Sequence, residues 1–235
     1  MKSLHLIIIV TIGVCSLVFS SLFFISIQNN VHDNTQPNVK PLKPHEPKLI
    51  LQIKYSELDG IRMNPMDITV DPAGNVYLLD EGYSSIHVFD NMGNYLRSFD
   101  YVGDDDLPIS WYTAKVVDVR GNSYETHANN NSVSVTNSDE DHLFSFGSKG
   151  SDEGQFQFPW GIALDSYDNI YIVEHFNNRV QVFTSNGEYL FQFGEYGKAN
   201  GQFINPTVIA IDNQNQIYVV DSNNGRIQVF ESIFS

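Results

Sequence analysis

From Leu49 onward, short runs of Val, Ile, Tyr and Phe alternate with polar residues and stop at Gly, Asn or Asp. The stretch 161–194 shows the unit most clearly. GIALD is followed by a turn, then NIYIVE, a loop, RVQVFT, a turn at Ser185-Asn186-Gly187, and EYLFQFG. Alternation with period two, in β-branched and aromatic residues, suits a pleated, half-buried ribbon and predicts four short antiparallel strands. An apolar period of 3.6 residues, which a helical repeat would need, is absent after the N-terminal region.

The unit recurs every 47 residues. Tyr77, Tyr124, Tyr171 and Tyr218 keep that step, as do Asp71, Asp118, Asp165 and Asp212, and Val88, Val135, Val182 and Val229. Phe99, Phe146 and Phe193 form a further column. Pro65, Pro159 and Pro206 form another, in which Tyr112 is the odd member. Four strands per unit of this length is the signature of a β-propeller blade, so the sequence predicts an all-β propeller of four-stranded blades. Repeat two is degenerate, with Thr136 where its column has Phe.

The phrases FPWGIALDSYDNIYIVEHFNNRVQVFTSNGEYLFQFG and NPTVIAIDNQNQIYVVDSNNGRIQVF resemble NHL repeats, and the resemblance spans Asn64 to Phe230. NHL domains are usually six-bladed, whereas four blades are countable here. A tight four-blade ring, an open arc and an assembly of two chains all remain open. The ends bear on this. The last repeat stops after RIQVF, while Leu49 lies one period before Leu96, Leu143 and Leu190. The run LILQI (49–53) is therefore expected to supply the missing outer strand of the last blade by pairing with Arg226 to Phe230, leaving no free edge there.

Three segments follow. Residues 1–27 read as an anchor or signal, 28–47 as a spacer, and 48–235 as the propeller. Leu4 to Ile27 holds no Asp, Glu, Lys or Arg, which is long enough for a helix across a bilayer, and Lys2 precedes it. An uncleaved anchor with the propeller outside the cytoplasm is expected, or a secreted domain if the segment is cleaved. Pro37, Pro41, Pro44 and Pro47 favour extended chain in the spacer.

Charge narrows the partners. Formal net charge is -15, and only two of the 28 acidic residues, Asp33 and Glu46, precede Lys48. The folded part is the acidic part, which disfavours a phosphate backbone and so excludes nucleic acid as the expected partner. The only cysteine, Cys15, lies in the apolar segment, so no intrachain disulfide forms.

Asp71, Asp118, Asp165 and Asp212 end first strands and read as turn-forming repeat positions. Asp80, His127, Glu174 and Asp221 end second strands and are the candidate ligand- or metal-binding set at one propeller mouth. The resemblance to NHL repeats implies that such an acidic residue pairs with a nearby arginine, here Arg179 or Arg226, through a charge-assisted bond. The acidic runs Asp104-Asp105-Asp106 and Ser138-Asp139-Glu140-Asp141 lack the spacing of a calcium loop and read as solvated turns. Outside the anchor and spacer the histidines are His87, His127, His142 and His175. They show no paired spacing for zinc, although propeller lyases that these repeats resemble in fold hold Zn²⁺ through histidines. No cofactor is expected, with Ca²⁺ or Zn²⁺ the alternatives left open. The aromatic residues read as core. The function expected is a binding scaffold for a protein, peptide or glycan. A metal-dependent lyase or lactonase is the alternative, and oligomeric state stays open.

Overall fold

A computed structural model describes residues 45–58, 63–80, 85–100 and 114–234. The expected anchor, most of the spacer, Tyr112 and the acidic run at 104–106 lie outside the described residues. Among the described residues no helix is long and apolar enough to cross a membrane.

The described residues form a β-propeller of four antiparallel four-stranded blades. It starts with β1 (Leu49–Ile53). Blade 1 holds β2 (Pro65–Val70), β3 (Val76–Asp80), β4 (Ser85–Phe89) and β5 (Tyr95–Asp100). Blade 2 holds β6 (Lys115–Val117), β7 (Ser123–His127), β8 (Ser132–Thr136) and β9 (His142–Phe146). Blade 3 holds β10 (Pro159–Leu164), β11 (Ile170–Glu174), β12 (Arg179–Phe183) and β13 (Tyr189–Phe193). Blade 4 holds β14 (Ile209–Ile211), β15 (Ile217–Asp221) and β16 (Arg226–Phe230), and its outer strand is β1.

The pairing of β1 with β16 is antiparallel, with Leu49 opposite Phe230, Leu51 opposite Val229 and Ile53 opposite Ile227. The outer strand of blade 4 is therefore supplied by the start of the domain, as the 47-residue period requires. Blade 1, whose first strand is the next strand after β1, packs beside blade 4. Gly225 serves this junction. Its φ of +64° is left-handed, and a Cβ there would lie 2.4 Å from Ser56 Cβ. The Ser56 amide donates to the Gly225 carbonyl at 3.0 Å. Only glycine gives both that conformation and that approach.

Each blade has two flanks, and their residues follow the period. The flank of blade 3 toward blade 2 carries Ile162, Ile170, Ile172 and Phe183, which pack with Tyr124, Val133 and Val135. The same positions in blade 4 are Ile209, Ile217, Val219 and Phe230, which pack with Tyr171, Val173, Val180 and Val182 of blade 3. In blade 1 they are Ile68, Val76, Leu78 and Phe89, packed on Tyr218, Val220, Ile227 and Val229 of blade 4. Three seams thus share apolar cores, in the spatial order blade 2, blade 3, blade 4, blade 1.

The fourth seam differs. One period back from the blade 3 set, blade 2 carries Lys115, Ser123, Glu125 and Thr136. That flank cannot bury against an apolar neighbour without stranding polar groups. Blade 1 still presents Tyr77, Leu79, Ile86, Val88 and Phe99 in the positions that face the next blade, and these form a cluster of their own. Among the described residues no apolar cluster joins blade 1 to blade 2. The degeneracy of repeat two is thus concentrated on one flank.

The loops before blades 3 and 4 each drive a phenylalanine into a seam. Phe156 packs on Phe146 and Phe183 at centroid distances of 6.2 and 5.5 Å, and Phe203 lies 6.0 Å from Phe230. Both are fully buried.

Candidate functional site

The second-strand termini come first. Glu174 ends β11 and is sealed from solvent. Its Oε1 accepts from Arg179 Nε at 2.5 Å and Gln181 Nε2 at 2.8 Å. Its Oε2 accepts from the Gln157 amide at 2.9 Å and Asn177 Nδ2 at 2.6 Å. Arg179 also donates to Gln192 Oε1 on β13 at 2.8 Å and to the loop before blade 3, reaching the carbonyls of Ser151, Asp152 and Gln155 at 2.7, 3.1 and 3.0 Å. Blade 4 repeats the device. Asp221 accepts from Arg226 Nε at 2.8 Å, Asn224 Nδ2 at 2.8 Å and Gln228 Nε2 at 3.2 Å on Oδ2, and from the Ile204 amide at 2.7 Å on Oδ1. Four donors saturate each carboxylate, so a cation at either would have to displace them.

Blade 1 carries a variant. Asp80 is buried and accepts from the Asn64 amide at 2.7 Å. Ser85 and His87 take the places of the arginine and glutamine. His87 Nε2 is 3.1 Å from Ser85 Oγ and 4.0 Å from Asp80 Oδ2, and Nδ1 is 3.5 Å from Tyr95 Oη. Burial lowers the His87 pKa, and the Asp80 charge opposes part of that shift. In blade 2 His127 Nε2 is 2.8 Å from Ser134 Oγ, and His142 Nε2 is 2.8 Å from Ser145 Oγ. Among the described residues no three His, Cys, Asp or Glu side chains gather as a metal site.

Asp71, Asp118, Asp165 and Asp212 each hold their turn from within. Asp165 Oδ1 accepts from the Tyr167 and Asn169 amides at 2.9 Å, and Oδ2 accepts from Tyr171 Oη at 3.2 Å. The Asp and Tyr columns, six residues apart, are therefore one hydrogen-bonded device present in all four blades. At Asp118 burial works against the charge, but bonds from Arg120 and Asn122 outweigh it and hold the pKa at about 2.

A different constellation stands out at the end of blade 3 where Glu174 lies. Pro159 pairs with Glu174 across β10 and β11, which brings the chain on either side of each together. Phe158, Trp160, His175 and Phe176 meet there. Phe176 is 5.2 Å from Phe158 and 4.9 Å from His175, and Trp160 is 5.7 Å from Phe158 and 5.2 Å from His175. Phe176 is 51% exposed. The equivalent positions in blade 4 hold Asn205, Thr207, Ser222 and Asn223, so blade 4 does not repeat the cluster.

Phe158 has a φ of +60°. The left-handed region costs a side-chain-bearing residue roughly 1–2 kcal/mol, and bulky residues rarely adopt it. Asn205, its counterpart, has a φ of +50°, which asparagine tolerates. The Phe158 amide is held by Asn131 Oδ1 of blade 2 at 3.0 Å, just as the Asn205 amide is held by Asn178 Oδ1 at 2.9 Å. His175 Nδ1 lies 3.2 Å from the Pro206 carbonyl, so Nδ1 carries the proton and Nε2 is the acceptor. Burial lowers the His175 pKa, partly offset by that carbonyl. Reading the aromatic residues, which fall mostly in strand columns, as core passed over this cluster. The signal was in the columns, which read Asn64, Trp111, Phe158, Asn205 and Gly82, Asn129, Phe176, Asn223.

Residues 160–232 match a protein family described as a 6-bladed beta-propeller, a match confined to blades 3 and 4. No curated protein matches the chain. Among solved structures, a streptogramin B lyase is 16% identical, with 78% of this chain and 56% of that one covered and a TM-score of 0.43. An inactive virginiamycin B lyase from Staphylococcus aureus with quinupristin is 16% identical, over 81% of this chain and 58% of that one, with a TM-score of 0.43. An auxiliary nutrient binding protein from Bacteroides thetaiotaomicron is 14% identical, over 70% and 47%, with a TM-score of 0.44. The chain spans little more than half the length of the first two.

Proposed function

We propose that this β-propeller is a binding scaffold of the NHL-repeat kind, held outside the cytoplasm by residues 4–27, and that it takes its ligand at the blade 3 end of one face. The observation carrying this reading is the cluster of Phe158, Trp160, His175 and Phe176, where blade 4 has Asn205, Thr207, Ser222 and Asn223. Repetition serves structure, whereas a departure from the equivalent residues of blade 4, with an exposed ring and a backbone held in a costly conformation, marks a place selected for contact. The saturated carboxylates beneath it act as struts. Arg179 and Glu174 tie the loop before blade 3 to the sheet and fix the backbone on which the rings stand.

A photo-reactive phenylalanine analogue placed at position 176 in cells tests the reading. A discrete adduct is expected there and none with the analogue at the fully exposed Val119. The absence of any adduct at position 176 would overturn the binding role of this face.

A further inference from the structure

We infer that Asn130 is an N-glycosylation site, its oligosaccharide coming from a polyprenyl-phosphate-linked donor outside the cytoplasm; this rests on the export proposed above. Three observations carry it. The first is the motif. Asn130-Asn131-Ser132 is the chain's only Asn-x-Ser or Asn-x-Thr with x other than proline, since Pro206 spoils Asn205-Pro206-Thr207. The second is what blade 2 has lost around it. In blade 3, Asn177 turns inward, and its Nδ2 donates to Glu174 Oε2 at 2.6 Å and the Gly150 carbonyl at 2.9 Å. In blade 4, Asn224 Nδ2 donates to Asp221 Oδ2 at 2.8 Å and the Gly197 carbonyl at 2.9 Å. Blade 2 has His127 in place of the carboxylate, and His127 Nε2 is engaged by Ser134 Oγ at 2.8 Å. Among the described residues the Asn130 side chain bonds to nothing, and the residue is exposed where Asn177 and Asn224 are half-buried. The same departure writes the motif, because Ser132 stands where Arg179 and Arg226 hold their carboxylates.

The third observation is placement. Residues 128–131 turn the chain from β7 into β8, with the Asn130 amide on the His127 carbonyl at 3.0 Å and a φ of +54° at Asn131. Ser132 starts β8 opposite His127 and is partly exposed. The asparagine and the hydroxyl two residues on therefore reach solvent together at a hairpin tip, where a bulky glycan costs no packing. In the transfer, Asn130 Nδ2 forms a bond to the anomeric carbon of the donor's first sugar. The bond from that carbon to the phosphate oxygen breaks, and the phosphate leaves with the electron pair. One amide proton passes to a base of the transferase, and nothing is oxidised or reduced.

Intact and peptide mass spectrometry of the full-length chain, purified from the cells that make it naturally, tests the inference beside Asn130→Gln, Ser132→Ala and Ser132→Thr. Protease added to intact cells gives a separate readout of export. A glycan mass increment on the peptide bearing Asn130 is expected, lost in Asn130→Gln and Ser132→Ala and kept in Ser132→Thr. Retention by threonine ties the loss to the hydroxyl that the transferase requires, since a general disturbance of the turn would not be rescued by it. An unmodified Asn130 in a chain that external protease cleaves would overturn the inference and leave export standing. An unmodified Asn130 in a chain protected from that protease would overturn both. A glycan that persists in Asn130→Gln would place the modification on another residue and overturn the assignment.

Discussion

Arg179 donates from Nε to Glu174 Oε1 at 2.5 Å, with the two side chains 8% and 0% exposed. A pair this deep is worth little against a well-packed apolar pair, but breaking it strands a charge. Glu174→Ala and Arg179→Ala are each expected to cost about 3–5 kcal/mol in urea unfolding. Replacing both by leucine together should cost less than the sum of the two single changes. Equal additivity would mean the two do not act as a unit.

The Tyr171 hydroxyl donates to Asp165 Oδ2 at 3.2 Å while its ring fills the blade 3 to blade 4 seam. The two roles separate by substitution. Tyr171→Phe keeps the ring and should cost about 1 kcal/mol. Tyr171→Ala opens a cavity and should cost about 3–5 kcal/mol. Thermal unfolding of the two variants measures the split, and similar losses would place the energy in the hydroxyl.

Closure by β1 predicts a contrast inside one strand. Ile53 is 1% exposed and packs between blades 4 and 1, whereas Ile50 is 45% exposed. Ile53→Asp buries an unpaired charge and should cost more than about 3 kcal/mol, and Ile50→Asp should stay within about 0.5 kcal/mol. Deleting 49–53 frees the edge of β16, an apolar strand, and should produce concentration-dependent association in light scattering. A monomeric, equally stable deletion would show that blade 4 does not depend on β1.

Titration gives two windows of opposite sign. His87 and His175 have folded pKa values lowered by burial from the ordinary 6.5. Their contribution is present above 6.5 and is lost as the pH falls below it, because the unfolded chain takes up protons first. His87→Gln restores the residue that blades 3 and 4 carry at this position, Gln181 and Gln228, and should shrink the loss of melting temperature between pH 7 and pH 5. Asp67 behaves in reverse. Burial pushes its carboxyl from 3.8 up to about 7, against a bond from the Ile68 amide. Its contribution is present below 3.8 and is lost as the pH rises through 7. Asp67→Asn should therefore gain melting temperature relative to wild type from pH 4 to pH 8 and no further above it. A pH-independent difference would rule out titration of Asp67 as the cause.

The sequence by itself determined the blade, the number of blades countable here and the strand that completes the last one. Each of these follows from local pattern and from the period. Alternation makes a strand two-faced, Gly and Asn place the turns, and a 47-residue step puts Leu49 in the column of Leu190 without reference to space. The pairing of Arg179 with Glu174 was also legible, as what the resemblance to NHL repeats implies. Tertiary structure alone decided which flank of each blade meets which neighbour. Thr136 is visible in sequence as a lapse in a phenylalanine column, but its grouping with Lys115, Ser123 and Glu125 on one flank depends on sheets packing face to face. In the same way Phe158 and Phe176 lie apart in sequence, and the register of Pro159 on Glu174 makes them neighbours. Alternation tells that the two faces of a strand differ, but what lies opposite each face is set by the packing of whole sheets, which no local stretch of chain contains.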